Sequence, residues 1–347
     1  MMDQLHDMLV AVGQWAWEYL VPHKESTDQA FLGFAMGSMV NVLKSYVGFI
    51  VLGSFIYLFF LRRKGEPFSL LGALKRLFPE SIYTHRSFKV DLAWLPFSWV
   101  ANFVLFAGLT IGAGAVQVWL LRHYGAVSWA VPAGGWAVLL QIVFTLLGAD
   151  IARFAWHYQG HKVAFFWEFH KGHHSPEVLH PIFIRTHPVD MFIRLLYMNV
   201  GGGLLGGGMM YLCGIEASAT GALYMTYIGA ILHVLQGFEH SHVPISFGRT
   251  LDKIFYPPHF HPFHHGAQLK HRDKNFGITG GLTLWDQLAG TLYIPEPGEK
   301  PILGASMEEL GDNNPHRTLW RFLREPFFAA AATLRRSDRP LQPSGTS

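Results

Sequence analysis

The sequence predicts an all-α, polytopic membrane protein with about four to five membrane helices and a cytoplasmic helical cap that carries clustered histidines. Half of the 347 residues are hydrophobic and only 15% are charged, against roughly 25% in soluble proteins. Long uncharged apolar runs recur along the chain. Fifteen of the 20 histidines fall between His157 and His271, which no ordinary composition explains.

The composition also excludes several classes of protein. The single cysteine, Cys213, rules out a disulfide framework, cysteine-based zinc fingers, iron–sulfur clusters and c-type haem attachment. The net charge is only +3 and no long basic run is present, so nucleic acid is not an expected partner.

The membrane segments are predicted from apolar length, since a helix needs about 20 apolar residues to cross the hydrocarbon core. Apolar runs stand at 31–61, interrupted by Lys44, and at 92–121, 124–149, 195–215 and 217–238. The run at 195–215 holds the glycine triplets 201–203 and 206–208, which predict close helix approach.

The orientation follows from the positive residues, which favour the cytoplasmic side. The first apolar run is followed by Arg62, Arg63, Lys64, Lys75 and Arg76. Two membrane hairpins would then return the chain to that same side. We therefore expect a multi-pass protein with every histidine cluster on its cytoplasmic face, near the interface.

This pattern divides the chain into four parts. Residues 1–30 are predicted as an interfacial segment, because Trp15, Trp17 and Tyr19 suit the headgroup zone. Residues 31–149 would form membrane helices, and 150–295 a histidine-rich domain that includes the hairpin 195–238. Residues 296–347 are predicted as a polar C-terminal tail.

The histidines fall into groups with helical spacing. Residues three and four apart share one helix face, and this holds for three groups, with a ninth histidine directly after the last apolar run. The nine candidate ligands are His157, His161, His170, His173, His174, His240, His261, His264 and His265.

Metal binding explains these groups best. Neutral imidazole is the commonest metal ligand near physiological pH, and pairs four apart offer two nitrogens to one ion. One ion takes about four to six ligands, so nine histidines suit two ions. A single HxxHH motif is weak, since a lone histidine is usually an ordinary surface or core residue; two such motifs and an HxxxH on one predicted face are a much stronger signal. Carboxylates that could orient the rings are Asp150, Asp190, Glu239 and Asp286.

With these motifs the sequence resembles the fatty acid hydroxylase/sterol desaturase superfamily of membrane di-iron proteins. The opening block reads D at 150, then H-Y-Q-G-H at 157–161 and W-E-F-H-K-G-H-H-S at 167–175. The middle elements are H-P at 187–188 and His240. The closing block reads H-P-F-H-H at 261–265, N-F-G at 275–277, W-D at 285–286 and G-T at 290–291. Departures from the family pattern are Ala155, Tyr158 and His242.

The resemblance implies O2-dependent oxidation of a lipid C–H bond at two non-haem iron ions (Fe2+), held by the nine histidines. His187 and His242 are further candidates as ligands or as ligand-orienting residues. Asp150, Asn275 and Asp286 are expected to hold ligands or helix ends by hydrogen bonds. No flavin, haem or nicotinamide motif is evident, so the electrons would come from an external donor such as cytochrome b5, ferredoxin or a reductase.

Several alternatives remain open at the level of sequence. The resemblance favours hydroxylation of a fatty acyl, sterol or other lipid, and the D-K-N-F-G stretch at 273–277 looks more like lipid-hydroxylating members. Because hydroxylation and desaturation begin with the same hydrogen abstraction, a lipid or sterol desaturase remains the alternative. A membrane zinc hydrolase is a more distant alternative, since it would need three ligands and a general base and no HExxH is present. A metal transporter would place its ligands within the spans, and here they follow the spans.

Overall fold

The computed structural model describes residues 47–48, 50–55, 69–106, 113–181, 185–304 and 318–336. Within these ranges no strand forms, and pairing of extended backbone is limited to a bridge between Phe255 and Leu282. The predicted all-α class is therefore confirmed for the described part of the chain. The predicted interfacial segment 1–30, and most of the apolar run 31–61, lie outside these residues.

The described residues form twelve α-helices and one π-helix. In chain order they are α1 (Leu70–Leu77), α2 (Glu80–Tyr83), α3 (Arg86–Phe106), α4 (Ala113–Tyr124), α5 (Gly135–Lys162), α6 (Ala164–His174), α7 (Pro188–Leu195), a π-helix (Leu196–Gly201), α8 (Gly202–Leu212), α9 (Ala219–Gly237), α10 (Phe260–His264), α11 (Leu284–Ala289) and α12 (Leu319–Arg336). Short 3-10 turns stand at Leu251–Lys253 and Leu269–His271.

Among the described residues, α5 is the one helix long and apolar enough to cross a membrane by length and composition. Buried core helices can meet the same test, so the count of four to five spans and the cytoplasmic cap stay predictions. The bounds of α5 differ from the predicted run 124–149. The helix begins only at Gly135, after Pro132 and the positive-φ Gly134, and it continues past Asp150 because no glycine pair or proline interrupts it.

Small residues let α5 and α8 cross closely. A Cβ on Gly148 of α5 would lie 2.5 Å from the backbone nitrogen of Gly206 and 2.7 Å from the carbonyl oxygen of Gly202. Only glycine fits at such a crossing, as the triplets in the sequence predict. The crossing fixes α5 against α8 within about three turns of His157, the first of the clustered histidines.

A single extended residue separates α5 from α6. Val163 has φ −101° and ψ 112°, and it is both the C-cap of α5 and the N-cap of α6. The chain therefore turns back on itself, and α6 packs against the last turns of α5. This turn brings the rings of His161 and His170 to 5.0 Å between centroids.

Helix α12 packs against the outside of this core. Phe322 is fully buried in a cluster with Trp94 of α3 and Met191 of α7, a burial that stabilises the fold by roughly 1.5–3 kcal/mol. The sequence predicts a polar tail for 296–347 and does not predict this helix. Phe322, Pro326 and Ala330 are spaced four apart and face inward. The segment nevertheless looks polar in the sequence, because four arginines stand in it and a proline is unusual inside a helix.

Candidate metal centre

The nine histidines predicted as ligands come together in two adjacent groups. In each group, nitrogens of the rings lie within 4.8 Å of one another. We name the groups site A (His157, His161, His170, His174 and His264) and site B (His173, His240, His261 and His265). Helix α5 contributes to site A alone, whereas α6 and the segment 260–265 contribute to both sites.

The spacing of the ring nitrogens matches ligands around a common ion. In site B the Nε2 atoms of His261 and His240 are 2.9 Å apart, and those of His240 and His173 are 3.4 Å apart. In site A the Nε2 atom of His174 lies 3.1 Å from that of His161 and 3.2 Å from that of His170. With metal–nitrogen bonds of about 2.1 Å, cis ligands lie about 3.0 Å apart in an octahedron and about 3.4 Å apart in a tetrahedron.

Backbone carbonyls hold two rings of site A in the tautomer that a metal requires. The Nδ1 of His157 donates to the carbonyl of Phe276 at 2.8 Å, and the Nδ1 of His264 donates to that of Lys274 at 2.7 Å. Each Nε2 then carries a lone pair, and both Nε2 atoms are buried without a hydrogen-bond partner. Buried polar atoms are rarely left so, and this donor set fits a metal ion.

Three further rings, those of His161, His170 and His173, are oriented by groups around the two sites. The Nδ1 of His170 donates to Asp190 at 2.9 Å, and that of His173 donates to the carbonyl of Arg185 at 3.3 Å. Asp273 lies 3.5 Å from the Nδ1 of His161. Such outer partners fix the ring of a ligating histidine and increase its basicity.

A buried ion pair supports the carbonyl that holds His173. The Nε of Arg185 donates to Asp91 at 2.6 Å, and His180 donates to the same carboxylate at 3.1 Å. The guanidinium also donates to the carbonyl and hydroxyl oxygens of Ser87, at 2.9 and 3.0 Å, and to the hydroxyl of Ser175. Site B is thereby connected to the first turns of α3.

Burial keeps six of these imidazoles neutral, as metal ligands must be. Desolvation lowers the pKa of His264 to about 3. Desolvation and the neighbouring imidazoles together lower the pKa well below the usual 6.5 for His173, His174, His240, His261 and His265. Rings this close would repel one another if protonated, so lone pairs are retained at neutral pH.

The three polar residues predicted to support the site build the segment beneath it. Asp286 accepts hydrogen bonds from the backbone of Phe276 and Gly277, each at 2.8 Å. Asn275 pairs through its side chain with both backbone groups of Tyr293, at 2.8 and 2.7 Å. Asp150 accepts from the indole of Trp285 at 2.7 Å. The segment 274–277 thus presents the carbonyls that hold His157 and His264.

The two further candidates, His187 and His242, lie in neither site. The Nε2 of His187 donates to the carbonyl of Leu323 at 3.0 Å, and its Nδ1 accepts from the backbone of Val189 at 3.2 Å. Both of its nitrogens are thus engaged, as expected of a helix cap. His242 is exposed, and its Nε2 donates to the carbonyl of Arg76.

Sequence reasoning did not single out Asp91 and Arg185. Both are almost completely buried, although each stands in a segment that looks like an ordinary helix start or loop. The available signal was Asp91, a charged residue at the edge of the apolar run 92–121. A charge that becomes buried there needs a partner, because buried charges are rarely unpaired. The partner, 94 positions away, could not be identified without the fold.

This geometry defines an all-helical protein with a histidine-only centre suited to two metal ions. Residues 142–291 match the family model for fatty acid hydroxylases. That range contains all nine histidines of the two sites, so the part of the chain that carries the candidate centre is similar to fatty acid hydroxylases.

A curated relative agrees with this family. The chain is 30% identical over 161 residues to the ornithine lipid hydroxylase OlsE of Rhizobium tropici. The alignment covers 46% of this chain and 44% of the relative, so the chain spans less than half of that protein's length. No solved structure matches the chain.

Proposed function

We propose that the protein is a membrane-bound, O2-dependent lipid hydroxylase whose sites A and B hold two non-haem iron ions. The observation that carries the proposal is the convergence of nine imidazoles, from four separate stretches of chain, on two adjacent centres. The match of residues 142–291 to the family model for fatty acid hydroxylases supports it. We also propose a multi-pass topology with both sites on the cytoplasmic face.

Bound iron would supply the redox chemistry that couples O2 reduction to attack on an unactivated C–H bond. In the overall reaction the C–H bond breaks, one oxygen atom becomes the hydroxyl group and the other leaves as water. Two electrons and two protons are consumed. The electrons come from an external donor, such as cytochrome b5, a ferredoxin or a reductase.

The chain's own residues prepare the site for this chemistry. Burial keeps the imidazoles neutral and holds bulk water away from the reacting atoms. Asp190 and the carbonyls of Lys274, Phe276 and Arg185 fix the orientation of four rings. Rings held in this way would lose little freedom when the ions bind.

The substrate is proposed to be a lipid. Helices α8 and α9 fall within the two apolar runs between His187 and His240, and α9 ends at Gly237, close in sequence to His240 of site B. They would give an acyl chain an apolar surface near the centre. The named activity of the relative favours hydroxylation over desaturation, and an ornithine-containing lipid is the first substrate to assay.

Metal analysis and lipid analysis of the purified full-length protein test this proposal. We expect about two irons per chain, and a lipid product heavier by one oxygen atom when a reductant is supplied. Replacing His173 with Ala should remove metal and product formation while the protein still inserts, because His173 is one of four site B nitrogens. His187→Gln is the matched control and should retain both metal and activity.

Other results would contradict the proposal. Full activity of the His173→Ala variant would remove site B from the chemistry. One zinc per chain with hydrolysis of the lipid would support a zinc hydrolase instead, and a product that lacks two hydrogens would identify a desaturase.

A further inference from the structure

Helix α12 has two unlike faces. Phe322, Pro326 and Ala330, spaced four apart, are buried against the rest of the protein. The Phe322 ring packs edge-on against Trp94 of α3 at 5.4 Å between centroids. This inward face holds α12 against the fold. The residues on the other side of the helix therefore point away from the protein.

The outward face of α12 exposes large apolar side chains. Trp320 is 67% exposed, Phe327 52% and Leu334 58%. These three residues are seven apart, and since a helix drifts only about 20° per heptad they form one line along its length. Phe328, 64% exposed, lies beside that line. Single exposed apolar residues are ordinary, but a continuous line of them marks a binding surface.

Arginines run beside this apolar line. The helix sequence holds four arginines against one acidic residue, Glu325, and Arg321, Arg324 and Arg335 are exposed. The guanidinium of Arg324 lies 6.0 Å from the ring of Trp320 and 5.7 Å from that of Phe328, and it also pairs with Glu325 at 3.1 Å. Cations and aromatic rings are therefore interleaved on one surface.

We propose that the outward face of α12 lies on an anionic lipid bilayer, with its apolar line among the acyl chains and its arginines at the lipid phosphates. Tryptophan, phenylalanine and leucine beside arginine are the composition of interfacial helices, and guanidinium groups bind phosphate in a bidentate manner. A second copy of this chain is a poorer occupant, because a symmetric contact would place arginines against arginines.

The contact would also fix the metal centre relative to the membrane. Phe327 stands at the edge of the outward face: about half of it is exposed, and its ring packs against Phe169 of α6 at 5.4 Å between centroids. Helix α6 carries His170, His173 and His174. A bilayer seated on α12 would therefore set the height of sites A and B above the lipid. The inference goes beyond the proposed reaction and does not depend on which metal is bound.

Fluorescence quenching in reconstituted full-length protein tests the proposal. The background variant Cys213→Ser removes the lone cysteine. Ala331→Cys then places a label on the outward face of α12, and Lys300→Cys places a control label in an exposed loop. Each labelled protein is reconstituted in phosphatidylcholine bilayers with or without phosphatidylglycerol. Nitroxide-bearing lipid reports acyl-chain contact, and iodide reports exposure to water.

We expect the label at position 331 to be quenched by the nitroxide lipid and protected from iodide, with deeper quenching when phosphatidylglycerol is present. The label at position 300 should show the reverse. Replacing Arg321, Arg324 and Arg335 with Gln should abolish the dependence on phosphatidylglycerol.

Three results would overturn the proposal. Iodide access at position 331 in both bilayers would mean a solvated face. Protection from both quenchers would mean coverage by protein, from a second copy or from another part of this chain. Equal quenching with and without phosphatidylglycerol would remove the role of the arginines. None of these readouts requires an active centre, so failure here is distinguishable from failure of the proposed function.

Discussion

Asp190 of α7 accepts a hydrogen bond at 2.9 Å from the Nδ1 of His170, and both side chains are almost completely buried. Because an ionised carboxylate can only accept, the proton stands on Nδ1 and the lone pair of Nε2 faces site A. Burial alone would raise the pKa of Asp190, but its interactions with His170 and Trp156 outweigh that effect and hold the pKa below its ordinary value. A negative charge therefore lies directly behind a candidate ligand.

Asp190→Asn should weaken metal binding at site A. The amide keeps the size of the side chain but removes the charge that increases the basicity of His170, and losses of this kind typically cost about 10- to 100-fold in affinity. Metal retained after equilibration against chelators of graded strength is the measurement. Asp252→Asn is the matched control, because Asp252 is equally buried but bonds to Ser246 and the backbone of Phe247. Equal metal retention in both variants would contradict the role of Asp190.

Asp91→Asn should destabilise the fold and loosen His173. Removing one partner of a buried ion pair costs about 3–5 kcal/mol, since the buried charge of Arg185 would lose the carboxylate of Asp91. Unfolding of the full-length protein in mixed micelles, together with its metal content, measures both effects. In contrast, Arg86→Gln breaks a pair with Glu177 in which the arginine is 60% exposed, and it should cost under about 1 kcal/mol. Similar losses of stability and bound metal in the two variants would contradict the role of the Asp91–Arg185 pair in supporting His173.

Gly148→Ala should disturb site A from a distance. Its new Cβ would lie 2.5 Å from the backbone nitrogen of Gly206, so α5 and α8 must separate at a cost of about 1–3 kcal/mol. The displaced α5 carries His157 and His161, and we expect a loss of bound metal together with stability. Gly208→Ala, also in α8, is the control, because nothing lies within 4 Å of its Cβ. Unchanged metal content in Gly148→Ala would show that this crossing does not position the site.

Asn275 can be tested through two separable properties. Its φ of 57° is strained for most residues but free for glycine, and its side chain makes two hydrogen bonds to Tyr293. Asn275→Gly removes only the hydrogen bonds, at about 1–2 kcal/mol, whereas Asn275→Ala adds about 1 kcal/mol or more of backbone strain. Chemical unfolding should rank stability as wild type, then Gly, then Ala. An Ala variant as stable as the Gly variant would mean that the backbone conformation relaxes without cost.

The sequence shows much of the candidate site because ligand spacing is local. His170, His173 and His174 lie on α6, and His261 and His264 lie on α10, as the three- and four-residue spacings predict. The match of residues 142–291 to the fatty acid hydroxylase family model also agrees with the motifs read from the sequence. Metal binding by these histidines stays a prediction, as does the number of membrane spans.

Other features could not be predicted from the sequence. The start of α5 depends on glycine and proline at 132–135, within a run that hydropathy alone treats as continuous. The sequence does not predict helix α12, because the burial of its inward face depends on packing against the rest of the fold, which spacing alone does not reveal. His187 resembles a ligand in the sequence, but both of its nitrogens are used in capping α7 and in bonding to α12.

By itself the sequence determined the helical class of the described residues, the residues that offer imidazole nitrogens and the family that their motifs resemble, since all of these depend on composition and on short-range spacing. Only the tertiary structure decided which histidines share a site. It also decided which carbonyl or carboxylate orients the rings of His157, His170, His173 and His264, and that Asp91 and Arg185 support the centre. The physical reason is that a metal site needs nitrogens within a few ångströms of one another. Residues that are distant in the sequence come that close only when the helices pack.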